Sequence, residues 1–177
     1  PAGAIRVITY NIHQGQCVET PSIGPVNLPV ARPGTVKKIA DQLNALGADI
    51  IMLQEVDKRA AGTGWHDQTA RLADRLKMHL ASGVAHEDAW GLWKIQANVV
   101  LSRHPIIATR VVEVSGAGDA EERRVAVIAH IDHPSIPGGV WAVATHLAAH
   151  DARRRVAGAR LLAQVVSGLP GAVVVGG

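Results

Sequence analysis

Between Ala48 and Asp57 the chain reads Ala-Asp-Ile-Ile-Met-Leu-Gln-Glu-Val-Asp, and no other stretch restricts the fold so much. Ile50 to Leu53 is an unbroken apolar run, too short for an amphipathic helix, so it reads as a strand buried on both faces. Such a strand delivers Glu55 to its carboxyl end, at the rim of a sheet. Open α/β sheets bind ligands outside those ends. The residues alone leave two readings of Glu55, a site carboxylate or a solvated acid in a turn.

The 177 residues correspond to a single domain, 1–177, able to bury about 70% of the surface its unfolded chain exposes. With no Phe, one Tyr and four Trp against 47% hydrophobic residues, the core must be built from Val, Ile, Leu and Ala. Small β-branched residues of this kind suit packed sheets. Eighteen basic against fifteen acidic side chains give a net charge of +3, compatible with a phosphate-bearing partner without demanding one. Cys17 is the sole cysteine, which excludes an internal disulfide and a cysteine metal cluster. No run reaches the roughly 18 apolar residues needed to span a bilayer, and no charged-then-apolar leader opens the chain. The expectation is a soluble protein, cytoplasmic or secreted with its signal removed.

Ala4 to Asn11 alternates as a first strand, with Ile5, Val7 and Thr9 on one face. Asn11 closes it, either starting a turn or offering a neutral oxygen ligand beside a carboxylate. His13 lies in the polar loop beyond. Prolines and glycines make residues 19–34 a long loop over the rim. Thr35 is placed to cap a helix carrying Val36, Ile39, Ala40, Leu43 and Leu46, which Gly47 stops. Strand, helix and strand make a βαβ-like opening. A second helix is expected from Trp65 to Leu80, then a loop from Ala81 to Lys94 whose Trp90 and Trp93 either line a cleft or, the favoured reading, cover the core.

From residue 95 the apolar period changes from helical to alternating. Gln96–Ser102, Ile106–Val114, Val125–Ile131 and Val140–Thr145 are four β-type runs, separated by Pro105, a Gly116/Gly118 loop and Pro134–Gly139. Sequential hairpins are the natural arrangement. A helix from Arg153 to Leu169 follows, with Leu161, Leu162, Val165, Val166 and Leu169 inward and Asp151 spaced to pair with Arg155. Ala172 to Gly177 reads as a buried central strand on which the sequence stops.

Nucleotide-loop, zinc-protease and serine-nucleophile signatures are absent. His130 with His133, and His146 with His150, have spacings that zinc sites use, so a zinc hydrolase built on these four histidines is one alternative. His146 differs from the others because it follows directly on the apolar run Val140–Thr145. Asn11, Glu55 and His146 thus each end a separate apolar strand, and such ends can converge on one pocket.

Five ordered segments carry a resemblance: Thr9-Tyr10-Asn11-Ile12-His13, Asp49 to Val56, Asn98 to Ile106, Thr145-His146-Leu147, and Val173 to Gly177. Together they resemble the endonuclease/exonuclease/phosphatase superfamily of magnesium-dependent phosphoesterases. The resemblance implies an α/β (α+β) fold, a two-sheet β-sandwich flanked by helices in four layers, DNase I-like, with a metal at one edge. By similarity Glu55 is the principal metal carboxylate and Asn11 a nearby oxygen ligand, holding Mg²⁺ or Mn²⁺. His146 would hydrogen-bond a phosphate oxygen and stabilise transition-state charge. Arg123, with Arg124 as its neighbouring substitute, and Asn98 would bind the substrate phosphate, and Arg155 would give structural support through Asp151.

The reaction implied is hydrolysis of a phosphodiester or phosphomonoester by in-line attack of an activated water. Nucleic acid, phospholipid headgroup and small phosphoester all belong to the family's substrate range, and the mild basicity leans toward nucleic acid. The family's Asp-x-Asn pair beyond the strand that ends in Gly176-Gly177, and its later Asp-His pair near the end of the domain, are absent from these residues. The expectation is therefore a fold incomplete at its C-terminus, a fragment inactive by itself and prone to self-association. The other alternative is a non-catalytic phosphate-binding relative.

Overall fold

The computed structural model describes residues 4–15, 34–59, 65–87, 95–115 and 123–177. Cys17, the proline-rich stretch 19–33, Trp90, Trp93 and the Gly116/Gly118 loop lie outside them. Among the described residues, eight strands and three α-helices form two four-stranded sheets packed face to face, with helices on the outer faces.

The first sheet has the order β1 (Val7–Asn11), β2 (Ile50–Asp57), β4 (Ile95–Ser102), β3 (His79–Glu87). β1 and β2 are parallel neighbours in register from Val7↔Ile50 to Asn11↔Gln54, joined through helix α1 (Thr35–Leu46) in the expected βαβ opening. Ile39, Ala40 and Leu43 of α1 pack with Ile51, Leu53, Leu72 and Leu101 on the outer face of this sheet. Gly47 ends α1 at φ 61°, the left-handed conformation that glycine adopts without penalty. Thr35 does not cap: it is the first helical residue, and Gly34 holds the cap position without a side-chain bond.

The second expected helix is shorter than its sequence pattern suggested. α2 covers Gln68–Leu76, capped by Asp67, whose side chain accepts from the Ala70 amide. The expected loop after it is largely strand: His79–Glu87 is β3, hydrogen-bonded antiparallel to β4. Its inward residues are Ala81, Gly83 and Ala85, too small to announce a buried face. That smallness has a use, because a Cβ on Gly83 would stand 2.9 Å from Val111 and 3.0 Å from Val127 of the facing sheet.

Arg103 to Pro105 carries the chain from one sheet to the other, so the four β-type runs are not one series of hairpins. The second sheet has the order β5 (Ile106–Glu113), β6 (Val125–Ile131), β7 (Val140–Thr145), β8 (Ala172–Gly176). β5, β6 and β7 are the expected hairpins, whereas β8 joins β7 in parallel after helix α3 (Ala152–Ser167). β8 is not central. Among the described residues it stands at the edge of its sheet, with Val174 against the inter-sheet core, Val173 under α3 and Val175 45% exposed.

Ile50, Met52, Val100, Val127, Ala129, Ile131 and Ala142 fill the space between the sheets. Gly176 lets them meet closely, since a Cβ there would lie 2.5 Å from the Met52 methyl and 3.0 Å from Thr9. No helix among the described residues is long and apolar enough to cross a membrane.

Candidate active site

The two parallel pairs decide where the site lies. Parallel strands finish at the same end, so β1 and β2 of one sheet and β7 and β8 of the other all deliver their carboxyl ends to a single rim. Asn11, Glu55 and His146 leave those ends, as their sequence positions predict.

β2 would not present Glu55 without an irregularity. Its register with β4 jumps by one residue between Leu53↔Val99 and Val56↔Ala97, a β-bulge that leaves one extra residue unpaired. Glu55 takes up the distortion at φ 54°, in the left-handed region. A non-glycine residue there costs about 1–2 kcal/mol, so the rest of the sheet must hold it in place. Gln54 helps: it is buried and its amide donates to the Thr9 hydroxyl at 3.2 Å.

Asn11 Nδ2 donates to Glu55 Oε1 at 2.8 Å, and the His13 amide donates to Asn11 Oδ1 at 2.9 Å. The second bond belongs to a left-handed turn at His13–Gly15, with φ of 46°, 59° and 67° in succession. His146 approaches from the second sheet, with Nε2 3.4 Å from Glu55 Oε1 and side-chain exposures of 24% and 20%. The carboxylate is thus shared between an amide and an imidazole, half shielded from water but open on one side.

Asn98 lies deeper. It is 1% exposed and its Nδ2 donates to the Val125 carbonyl at 2.9 Å, a bond from β4 across to β6. The Thr145 hydroxyl donates to the same carbonyl at 3.3 Å. One carbonyl therefore ties three strands together beneath the site, and Thr145 is a contributor that sequence reasoning noted only as part of the Thr-His-Leu segment. Arg123 spans the rim from the other side, with Nη1 donating to the Val84 carbonyl at 3.1 Å and Nε 3.4 Å from Glu113. Arg124 is anchored differently, its amide donating to the Ser115 hydroxyl at 2.7 Å.

Arg155 does not act through the Asp151 carboxylate. Asp151 caps α3, accepting from the amides of Arg153 at 2.8 Å and Arg154 at 3.1 Å, while Arg155 Nη1 donates to the carbonyls of Ala148 and Ala149. Amide donation, from Arg154 first and then Arg153, lowers the Asp151 pKa below its ordinary value. Beside this corner an open cavity of about 480 Å³ runs between His146, Leu147, Leu162 and Gly176.

The four histidines of the zinc alternative do not meet. His130 pairs with Trp141 and Ala126 with Thr145, so His130 and His146 lie at opposite ends of the β6–β7 hairpin, roughly 17 Å apart by strand rise. His130 instead stacks on Trp141 at 4.2 Å, and His133 packs edge-on to His104 at 4.5 Å. Among the described residues no group of three or more His, Cys, Asp or Glu could hold a metal. The donor set at Glu55 is of another kind, one partly exposed carboxylate beside the Asn11 amide, whose nitrogen faces it while its oxygen accepts from the His13 amide. Small hard cations such as Mg²⁺ are held in that way, by one or two carboxylates, waters and substrate oxygens.

The family model described as Endonuclease/Exonuclease/phosphatase family matches residues 8–177. Among solved structures, an endonuclease/exonuclease/phosphatase from Beutenbergia cavernae is 28% identical with a TM-score of 0.72, over 93% of this chain and 44% of that one. A mannosyl-6-phosphatase of Bacteroides thetaiotaomicron is 13% identical with a TM-score of 0.66, over 97% and 64% of the two chains. TDP2 of D. rerio, complexed with a single-strand DNA product, is 14% identical with a TM-score of 0.65, over 97% and 58%. The last two likenesses concern the fold alone. The chain thus spans between 44% and 64% of the lengths of these relatives. No functionally curated protein is significantly similar to it.

Proposed function

We propose that this chain, which belongs to the endonuclease/exonuclease/phosphatase family, supplies the metal- and phosphate-binding half of a phosphoester hydrolase. The observation that carries the reading is the cluster at the rim, where Asn11 donates to Glu55 at 2.8 Å and His146 stands 3.4 Å away. These are three polar residues from separate strands of two sheets, and no packing requirement explains their meeting.

Glu55 and Asn11 Oδ1 would hold a divalent cation such as Mg²⁺ or Mn²⁺. When bound, that cation supplies charge neutralisation for a phosphoryl oxygen. Everything else falls to the chain. Asn11 Nδ2 orients the carboxylate, and the bulge at Glu55 aims it outward. His146 Nε2 is the donor for a non-bridging phosphoryl oxygen. Arg123, paired among the described residues with an exposed Glu113 and one carbonyl, can exchange those partners for a phosphate at small cost. Asn98 fixes the floor beneath the phosphate by holding the sheets together at Val125.

The substrate class is a phosphodiester or phosphomonoester. The name of the bacterial mannosyl-6-phosphatase and the DNA product bound to the D. rerio protein mark two directions within that class.

The test is hydrolysis of bis-p-nitrophenyl phosphate and p-nitrophenyl phosphate with added Mg²⁺ or Mn²⁺, together with binding of inorganic phosphate. It is run on this chain and on Glu55→Gln and His146→Ala. Glu55→Gln keeps shape and removes charge, so the metal requirement should rise sharply. Loss of one preorganised donor costs about 10²- to 10³-fold in kcat, so His146→Ala should lower kcat far more than it raises KM. Turnover or phosphate binding left unchanged by both substitutions would overturn the assignment.

A further inference from the structure

Residues 146–150 form the corner between β7 and α3, and they must reverse the chain without any regular structure of their own. Among the described residues, no backbone hydrogen bond of a turn or loop involves Leu147, Ala148, Ala149 or His150. Carbonyls in such a corner still need donors, and a corner without them moves. Leu147 fastens its apolar side, packing with Val114, Val143 and the inward leucines of α3. Its carbonyl side is held by one side chain. Arg155, one turn into α3, donates from Nη1 to Ala148 at 2.9 Å and to Ala149 at 3.0 Å.

The helix that carries Arg155 is itself well placed. Asp151 caps its first turn, and Gly158 brings it so close to β5 that a Cβ there would stand 2.9 Å from the Val114 carbonyl. A cap, a close helix contact and a guanidinium therefore link the helix to the corner. His146 begins that corner, 3.4 Å from Glu55.

We infer that Arg155 is the positioning residue of His146: through the Ala148 and Ala149 carbonyls it sets the distance between the imidazole and Glu55. The inference rests on the role proposed above for His146. Arg155 lines the open cavity beside His146, but it turns Nη1 to the Ala148 and Ala149 carbonyls, and it is through them that it acts on the corner. A displacement of about 1 Å from reactive geometry can cost on the order of 10²-fold in rate. Arg155→Met, which keeps the stem and removes every donor, should lower kcat by about 10- to 100-fold with a smaller change in KM. Arg155→Lys retains a charged donor without the planar fork and should recover part of the loss.

The deciding measurement needs no turnover. In the whole chain, the nuclear Overhauser contact between the His146 ring and the Glu55 side chain reports their approach, while far-UV circular dichroism reports the fold. Arg155→Met is expected to lose the contact with its dichroism unchanged, and Arg155→Lys to keep a weakened one. A contact retained at full strength in Arg155→Met overturns the inference, as does a kcat equal to that of the unsubstituted chain. If Arg155→Met unfolds, the same decision falls to Arg155→Lys, where an undiminished contact refutes it. Should the contact be lost while the unsubstituted chain neither hydrolyses phosphoesters nor binds phosphate, the positioning role stands and the functional reading fails.

Discussion

Glu55 sits in a conformation that its residue type resists, and that conflict can be measured apart from any chemistry. Glu55→Ala and Glu55→Gly both remove the carboxylate, the bond from Asn11 and the contact with His146. They differ only in the backbone at φ 54°. Alanine retains the left-handed penalty of about 1–2 kcal/mol, while glycine escapes it and loses about 0.5–1 kcal/mol to its greater freedom in the unfolded chain. Glycine should therefore be the more stable of the two by about 0.5–1 kcal/mol, or 1–4 °C in Tm for a domain of this length. Urea unfolding followed by circular dichroism reads the difference directly. The control is Asp41, exposed in α1 and paired with Lys37, where glycine should be the less stable by about 1 kcal/mol. If alanine equals or exceeds glycine at position 55, the bulge is not strained and the argument that the sheet forces Glu55 outward collapses.

Asp151 gives a prediction with a definite sign in pH. Its folded pKa lies below the ordinary 3.8 because amides of Arg154 and Arg153 donate to it, so its contribution is complete above that value and lost as pH falls through the folded pKa. The urea midpoint of Asp151→Asn should lie below that of the unsubstituted chain at pH 7, and the gap should close in strong acid; a gap independent of pH would refute the charge argument. Gly158→Ala should destabilise despite alanine's advantage of about 0.8–1.0 kcal/mol in helices. The neighbouring Val114 backbone oxygen cannot yield as a flexible side chain can, so crowding of about 1–3 kcal/mol should win, and an increase in Tm would show that α3 moves freely on β5.

Much of the scaffold is visible in the chain itself, because apolar runs that end in a polar residue state both a strand and its direction. Ile50–Leu53 before Glu55 and Val140–Thr145 before His146 do so, and their parallel neighbours bring the ends together. β3 escaped because Ala81, Gly83 and Ala85 bury a face without large side chains. The sheet switch at Arg103–Pro105 has no local signature, since it depends on which partner each strand finds. The bulge at Glu55 was equally silent, for no glycine marks it. Arg155 was noticed but given the wrong partner: spacing four residues apart predicts a helical ion pair, whereas loop carbonyls nearby offered it two acceptors.

The division of the rim between two sheets couples ligand grip to the assembly of the molecule. Asn11 and Glu55 belong to one sheet and His146 to the other, so neither sheet on its own holds more than part of the cluster. Whatever is gripped from both sides must favour the docked sandwich over states in which the sheets have parted, by an amount fixed by its concentration relative to its dissociation constant. Conversely, a substitution buried between the sheets weakens binding by shifting the population of docked molecules. Gly176, pressed against Met52, is such a place: bulk added there would register first as lost affinity at the rim.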